Sequence, residues 1–406
     1  MDQNHQNAFA YRVIDQANTH NSPTPFRQPN PTPRHGHRPS ADSFNSFISQ
    51  RLAATSVMSD TMRPPAIWFP TLHAGSGADV FTERLVAGLR ARDVRAEIAW
   101  LPHHAEYAPW SVPVIPAPKW ANIIHINTWL PPRFIPDGLP VVATALHCVH
   151  DPALTPYKNL AQSLYHKLWI KAVERQNLER AARVISISEY SARQIQATFG
   201  TTGIHVVPIG IDPKGAFQAY PAPDKPHKPF RLLFVGNWSA RKGADLLAPI
   251  MQTLGMDFEL WVRAGLRSRQ LDALPPNIKQ IPRCENETAL AQLYRQCDAL
   301  LFPSRLEGFG MVALEAQACG LPVIATNGSA LPEVVKHGIS GFLCKTDQTG
   351  DFASAIRLLA ADRARYEQIS LAARQLATSQ FSEETAIDKY LNLYQSLLSP
   401  PRCGQY

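Results

Sequence analysis

The segment from Asp298 to Ala316 reads Asp-Ala-Leu-Leu-Phe-Pro-Ser-Arg-Leu-Glu-Gly-Phe-Gly-Met-Val-Ala-Leu-Glu-Ala. A short apolar run ends at Phe302, a polar turn with two glycines follows, and a helix-forming stretch starts near Gly310. This order predicts a buried strand, a turn at its carboxyl end and a helix, the repeating unit of a parallel α/β sheet. The unpaired N–H groups and the dipole at such a helix start can bind an anion such as a phosphate.

Two carboxylates lie eight positions apart in this segment, Glu307 in the turn and Glu315 inside the helix. On a helix that rises about 1.5 Å per residue they would be roughly 12 Å apart, too far to share a proton. They can instead bind hydroxyl groups at opposite ends of a long ligand whose phosphates lie between them, and a nucleotide sugar has this layout. A lone glutamate is usually a solvated charge, but the small apolar neighbours of Glu315 indicate a buried position, where a charge needs a partner.

A second strand, turn and helix start runs from Phe234 to Gly243 and reads Phe-Val-Gly-Asn-Trp-Ser-Ala-Arg-Lys-Gly. Arg241 and Lys242 would point two cations towards the same cleft, where they can stabilise the charge on a departing diphosphate. An Arg-Lys pair at a turn is more often simply solvated. This segment alone therefore leaves both interpretations open.

From Pro64 onward, short apolar runs alternate with amphipathic stretches, which predicts two parallel α/β domains of similar size. We expect a first domain over 63–212, a Pro-rich linker over 213–229, a second domain over 230–380 and a closing helix over 381–398. Strands are expected at 66–69, 96–100, 123–126, 141–144, 184–188, near 206–209, and at 231–235, 258–262, 278–281, 298–302 and 322–325. Helices are expected at 79–92, 157–182, 242–254, 287–296, 310–318, 352–360 and 383–398.

The first 62 residues differ from the rest of the chain. The run over 21–39 is polar, Pro-rich and without a period, which predicts a disordered tail that cannot bury a core. One interpretation is a start codon assigned too far upstream, with Met58 or Met62 as the true start. The other is a short recruitment arm.

Net charge, apolar runs and cysteine content limit the ligands and the cellular location that we expect for this protein. The net charge of +7 suits nucleotide phosphates, an anionic membrane or nucleic acid, without choosing among them. We expect a cytoplasmic protein, because the sequence lacks an 18-residue apolar run and a basic-then-apolar signal peptide. The six cysteines are scattered with no CxxC pair, which argues against a zinc site or a disulfide scaffold.

The ordered set of motifs resembles the retaining GT-B glycosyltransferases of family 4. The E-x7-E element is Glu307 to Glu315, the basic turn is 236–243, and the Gly-containing loop reads Gly75-Ser-Gly77-Ala-Asp. The runs 184–189, 206–212 and 331–343 also match, so the resemblance covers about residues 64–397. It implies an α/β GT-B fold, with two Rossmann-like doubly wound domains facing across a cleft and the C-terminal helix crossing back to the N-terminal domain.

The resemblance also implies roles for single residues. Glu307 would hold hydroxyls of the donor sugar near the reacting face, and Glu315 would bind the ribose. Arg241 and Lys242 would neutralise the diphosphate in place of a metal. The other implied donor-binding positions are Gly75, Gly77, Asn237, Gly308, Gly310, Met311 and Val312.

A histidine after the fourth strand of the first domain usually lies beside the sugar in this family. His147 fits, with His150 as the runner-up, and the catalytic set is then His147, Glu307 and Lys242. A lone histidine is more often structural, but His147 directly follows the carboxyl end of a strand, where α/β sites gather. The chain departs from the family pattern at Asn237, where arginine is frequent, and at Arg263, where the usual Gly-x-Gly is missing.

The implied reaction is transfer of a hexose from a nucleotide-diphosphate sugar to a glycan or lipid-linked acceptor, with retention of the anomeric configuration. The nucleotide sugar would be the co-substrate, with its base open. No metal and no other cofactor are expected, since the sequence has no DxD motif. Cell-surface polysaccharide or lipopolysaccharide biosynthesis is the usual setting for such chains. No dedicated base is assigned, because the departing phosphate is thought to help deprotonate the acceptor.

Several alternatives stay open. The helix around 165–175 carries Trp169 with Lys167, Lys171 and Arg175, so it could lie on an anionic membrane at its inner face, or pack on the sheet with a solvated basic face. Nucleic acid is not an expected partner.

Three rival functions also remain. One is a catalytically silent GT-B protein that binds nucleotide sugar or scaffolds partners, and another is a nucleotide-sugar 2-epimerase. The third is a dehydrogenase, for which the loop at Gly75-Ser-Gly77 lacks a complete GxGxxG motif.

Overall fold

The computed structural model describes residues 63–218, 226–265 and 274–399. The tail predicted over 1–62 lies outside the described residues, as does the part of the predicted linker at 219–225. The described chain forms two parallel six-stranded sheets with helices packed on them. The predicted α/β architecture is therefore confirmed.

The first sheet has the strand order β2-β1-β3-β4-β5-β6. Its strands are β1 (Ala66–His73), β2 (Arg95–Pro102), β3 (Ile123–Asn127), β4 (Val141–Ala145), β5 (Arg183–Ser186) and β6 (His205–Val206). From β1 the chain adds β2 on one side of the sheet, and from β3 it adds the later strands on the other side. The loops that follow β1 and β3 therefore diverge and leave a crevice at the carboxyl edge of the sheet. All five residues of β4 are buried, as expected where both faces of a parallel sheet are covered.

The helices of this half are α1 (Gly77–Arg90), α2 (Leu160–Tyr165), α3 (Lys171–Arg180) and α4 (Glu189–Phe199). The long helix predicted over 157–182 is found over 160–180, with a π-helical turn inside it. A 3₁₀ turn (Pro152–Tyr157) precedes α2, and a π-helical turn (His166–Ile170) separates α2 from α3. Helix α4 was not predicted from the sequence; its start is capped by the side chain of Ser188, which accepts the N–H of Ser191.

The second sheet has the order β12-β11-β10-β7-β8-β9, with the corresponding change of side between β10 and β7. Its strands are β7 (Phe230–Gly236), β8 (Phe258–Ala264), β9 (Ile278–Gln280), β10 (Ala299–Phe302), β11 (Val323–Thr326) and β12 (Gly341–Cys344). Its helices are α5 (Ala244–Leu254), α6 (Glu287–Arg295), α7 (Met311–Ala318), α8 (Leu331–Val334), α9 (Thr349–Ala361) and α10 (Arg363–Gln380). Of these elements β12, α8 and α10 were not predicted.

The closing helix α11 (Glu383–Leu398) returns to the first sheet, as predicted. The N–H of Ile211 donates to the carbonyl of Phe381 at 2.8 Å, and the N–H of Glu383 donates to the carbonyl of Ile211 at 3.0 Å. Further along α11, the hydroxyl of Tyr394 lies 2.5 Å from Nδ1 of the buried His125 on β3. The chain end thereby ties the two halves together. None of the described helices is long and apolar enough to cross a bilayer.

Candidate functional site

The two halves touch at Gly308, in the turn between β10 and α7. A Cβ atom there would lie 2.2 Å from the carbonyl oxygen of Leu146 and 2.8 Å from Cβ of His147, so no larger residue fits this approach. The carbonyl of Gly308 accepts hydrogen bonds from the hydroxyls of Ser188 at 2.6 Å and Ser191 at 3.0 Å. The turn with the first glutamate therefore lies against the carboxyl end of β4.

Glu307 is buried in this turn and held on several sides. Lys242 Nζ and the hydroxyl of Ser304 each donate to its Oε1 at 2.5 Å, and its own N–H donates to Ser329 Oγ at 3.0 Å. Burial alone would raise the pKa of Glu307, but Lys242, Arg241 and these hydrogen bonds outweigh it and leave the pKa below its usual range. The group is a fixed, ionised acceptor.

The basic pair of the turn after β7 lies beside Glu307. The guanidinium of Arg241 donates to the carbonyl of Leu306 at 3.0 Å, and the N–H of Arg305 donates to the carbonyl of Arg241 at 2.9 Å. Burial lowers the pKa of Lys242, with Glu307 opposing that change and Arg241 adding to it. Both cations are engaged with the β10–α7 turn, rather than simply solvated as the local sequence would suggest.

His147 follows β4 and lies half-buried at the same place. Its ring is 5.6 Å from the ring of Trp129, and burial, together with the nearby Arg241, lowers its pKa to about 4. It is therefore neutral near pH 7. The alternative candidate, His150, contacts a different carboxylate: its Nε2 lies 3.0 Å from Oε2 of the fully buried Glu174.

Glu315, on α7, is buried with a donor on each oxygen. An N–H of Arg84, on α1, donates to Oε1 at 2.7 Å, and the hydroxyl of Tyr294, on α6, donates to Oε2 at 3.1 Å. Burial raises the pKa of Glu315, and these two donors oppose the rise. The sequence indicated that this charge needs a partner. It did not identify Arg84, which is 231 positions away and belongs to the other half.

The Gly-containing loop after β1 lies close to the start of α7. Gly75 has φ 62°, a left-handed conformation that favours glycine, and its N–H donates to Asp79 Oδ2 at 2.7 Å. A Cβ at Gly77 would lie 3.9 Å from Sδ of Met311. The structure thus brings Gly75 and Gly77 to the same region as Met311.

The start of α7 presents free backbone donors. Gly310 precedes the helix with φ 107°, and the first N–H groups of a helix, here including Met311 and Val312, have no partner within it. Asn237 lies at the neighbouring turn, where its Oδ1 is 1.9 Å from the position that a Cβ of Gly265 would take. The predicted catalytic and donor-binding residues therefore lie in or beside the turns after β1, β4, β7 and β10, with Glu315 further along α7.

Some residues of this region could not be identified from the sequence alone. Ser304 and Tyr294 bond the two glutamates, and neither type is diagnostic alone. The carboxylate of Glu333 accepts the N–H groups of Glu189 at 2.9 Å and Tyr190 at 2.7 Å, which joins the second half to the start of α4. Among the described residues, no group of three or more His, Cys, Asp or Glu side chains is arranged to hold a metal ion.

The architecture matches that of several solved structures. Sucrose-phosphate synthase from Thermosynechococcus elongatus superposes with a TM-score of 0.65 at 19% identity, covering 82% of this chain and 99% of that one. Anabaena Alr3699/HepE, solved in complex with UDP and glucose, superposes with a TM-score of 0.61 at 17% identity, covering 82% and 100%. The likeness shows the fold, so the predicted GT-B class is confirmed.

The sequence comparisons show the family. Residues 218–376 match glycosyl transferases group 1, and residues 119–214 match glycosyltransferase family 4. D-inositol 3-phosphate glycosyltransferase 1 from Catenulispora acidiphila is 32% identical over 319 residues, 70% of this chain and 75% of that protein. The chain belongs to glycosyltransferase family 4, and is a retaining hexosyltransferase that takes its sugar from a nucleotide sugar.

Proposed function

We propose that the nucleotide sugar binds along the segment from Glu307 to Glu315, between the two halves. The observation that carries this proposal is a single turn and helix with a buried, hydrogen-bonded carboxylate at each end and two cations beside Glu307. In this arrangement the sugar lies near Glu307, the diphosphate at the start of α7, and the ribose at Glu315. A glycosyl donor has these three parts in this order.

The chemistry follows from the charges. As the bond between the anomeric carbon and the phosphate oxygen breaks, negative charge develops on the diphosphate. Arg241, Lys242 and the N–H groups of Met311 and Val312 stabilise it. The acceptor hydroxyl bonds to the anomeric carbon on the face that the phosphate leaves, and its proton passes to the departing phosphate oxygen. Neutral His147 lies beside the sugar, and the closed cleft limits attack by water.

We further infer that the reaction needs no metal ion, since fixed side-chain cations and helix N–H groups already neutralise the leaving group. The test is sugar transfer measured with EDTA and again with added Mn²⁺ or Mg²⁺. Unchanged rates in EDTA support the inference. A rate that falls in EDTA and returns with the metal contradicts it.

For the acceptor we propose a lipid-linked glycan at the inner face of a membrane, as in cell-surface polysaccharide or lipopolysaccharide biosynthesis. The supporting feature is an exposed stripe on α2 and the π-helical turn, in which Leu160, Leu164 and Leu168 are 86%, 54% and 65% exposed. The spacing of four places them on one face, and the exposed Lys167 adds positive charge. Such a surface fits an anionic bilayer.

The same helix also packs on the protein, as the second sequence-based interpretation expects. The indole of Trp169 donates to the carbonyl of Glu106 at 2.8 Å, and the hydroxyl of Tyr165 donates to the carboxylate of Glu106 at 2.9 Å. The indole of Trp169 therefore packs against the protein, and the three leucines lie on the exposed face of the helix. The neighbouring Tyr107 and Trp110 are exposed as well and enlarge the apolar surface.

A second acceptor class follows from the 32% identical relative, which is named a D-inositol 3-phosphate glycosyltransferase. A small polyol phosphate would not need a membrane surface. Transfer to inositol 3-phosphate in a vesicle-free assay would favour this acceptor over a lipid-linked one.

The donor site is tested by thermal unfolding with UDP, GDP and ADP. A ligand that binds the folded state raises stability by RT ln(1 + [L]/Kd), so one nucleotide should raise the melting temperature of the wild type. The rise should shrink in Glu315→Ala and persist in Glu367→Ala, which removes a carboxylate from the exposed face of α10. Equal shifts in the wild type and Glu315→Ala would overturn the proposed site.

A further inference from the structure

Arg84 lies on α1 of the first half, yet its guanidinium reaches two carboxylates of the second half. It donates to Glu315 Oε1 at 2.7 Å, and through Nε and a terminal N–H to Glu287 Oε1 at 2.9 and 2.7 Å. Its Cζ lies 5.4 Å from the ring centroid of Phe217. With the side chain only 19% exposed, this is a directed, partly desolvated contact and not a solvated surface ion pair.

The second oxygen of Glu315 is held from another side. The hydroxyl of Tyr294 donates to Oε2 at 3.1 Å, and the ring of Tyr294 is fully buried. With one donor on each oxygen, the carboxylate has a defined orientation. Each oxygen can still accept one more hydrogen bond, which is what the two hydroxyls of a ribose require.

We propose that Arg84 is a positioning residue for nucleotide binding, which orients the Glu315 carboxylate and favours its charged form so that it accepts the ribose hydroxyls. The proposal rests on the donor site proposed above. It makes nucleotide affinity depend on a side chain of the acceptor-side half. Movement of the two halves apart withdraws the guanidinium and weakens nucleotide binding, so closure of the cleft and donor affinity are coupled.

The charges around Glu315 give this role a pH signature. The groups that face it are Arg84 from α1, and Tyr294 and Glu287 from α6. Without Arg84, burial and the negative Glu287 raise the pKa of Glu315 further. A protonated Glu315 is a poorer acceptor, so nucleotide affinity falls as the pH falls, and it does so at a higher pH in a variant without Arg84 than in the wild type.

The test is calorimetric titration of the full chain with UDP, GDP and ADP between pH 5.5 and 8. Arg84→Ala should weaken binding of the preferred nucleotide about tenfold at pH 7.5, and more at pH 6. Arg84→Lys keeps the positive charge but lacks the planar guanidinium, so it should bind nucleotide more tightly than Arg84→Ala and more weakly than the wild type. Arg92→Ala is the control. Arg92 lies in the turn just after α1 and pairs with Glu384 and Asp388 of α11, so this variant should bind nucleotide like the wild type.

The outcomes separate the two proposals. If Glu315→Ala weakens binding but Arg84→Ala binds as well as or better than the wild type at every pH, Arg84 has no positioning role and the donor site stands. If Glu315→Ala binds normally, or the wild type binds none of the three nucleotides, both proposals fall. Should Arg84→Ala not fold, Arg84→Met with Glu315→Gln removes both charges together. Its affinity, compared with Glu315→Gln alone, should then show no further loss.

Discussion

Lys242 and Glu307 form a nearly buried ion pair, with side chains 14% and 11% exposed and 2.5 Å between Nζ and Oε1. Removing one partner of such a pair leaves the other charge without compensation, whereas replacing both costs much less. The lowered pKa of Glu307 adds a pH dependence. Its contribution to stability is fully present above the unfolded-state pKa of about 4.3 and is lost as the pH falls through the lower folded-state pKa.

We expect Lys242→Met to lower the free energy of unfolding by about 3 kcal/mol at pH 7. It should also lower kcat at least about tenfold, because a cation beside the leaving phosphate is gone. Lys242→Met combined with Glu307→Gln should recover most of the stability and none of the activity. Urea unfolding and initial rates measure both effects. A Lys242→Met enzyme with wild-type kcat would refute the proposed stabilisation of the leaving group.

Among the predicted elements, the segment from α2 to α3 contains a π-helical turn that the sequence did not indicate. A continuous amphipathic helix would turn one apolar stripe to the protein throughout. Here a π-helical turn (His166–Ile170) interrupts the helix, and within it Ile170 is buried while Leu168, on the opposite side, is exposed. Three leucines thus remain outside without a protein partner to cover them among the described residues. The apolar pattern alone does not tell which face is covered.

We expect Leu160→Ser/Leu164→Ser/Leu168→Ser to reduce binding to vesicles that contain phosphatidylglycerol by at least about tenfold, since each fully buried leucine contributes ~1.5–3 kcal/mol. Folding should be unaffected, because these side chains are exposed. The matched control is Ile339→Ser/Leu358→Ser/Leu371→Ser, which removes three exposed apolar side chains from the second half. Vesicle co-sedimentation measures the difference. Equal binding by the two triple variants would argue against a membrane surface here.

In the whole molecule, the two halves are joined at several separate places around the cleft. Gly308 packs on the end of β4, Glu333 binds the start of α4, Arg84 binds Glu315, and α11 returns to β3. These contacts hold the proposed donor residues against His147. The active geometry therefore depends on how closely the halves approach, with Gly308 as the tightest point.

Gly308→Ala tests this dependence. Its Cβ would meet the backbone carbonyl of Leu146 at 2.2 Å, so the turn or β4 has to move, and we expect kcat to fall at least about tenfold. Gly328→Ala is the control, because its Cβ would make only ordinary contacts at 3.7 Å. Steady-state kinetics and small-angle scattering report activity and domain separation. Wild-type kcat in Gly308→Ala would show that the close approach is not needed.

The sequence by itself determined the class of fold and the segments that carry the proposed site. Strand, turn and helix patterns depend on residues only a few positions apart. The secondary structure of 298–316, 234–243 and the closing helix could therefore be predicted from the local sequence. Short elements such as α8 and β12 were not predicted, because four residues are too few to show a periodic pattern.

Only the tertiary structure decided which side chains act on one another. It paired Glu315 with Arg84 across 231 positions, and it placed His147, not His150, beside Glu307. It also turned the leucines of α2 outward. The physical reason is that the charge state of a buried carboxylate and the exposure of an apolar face are set by neighbours in space. Those neighbours come from distant parts of the chain, and no local pattern records them.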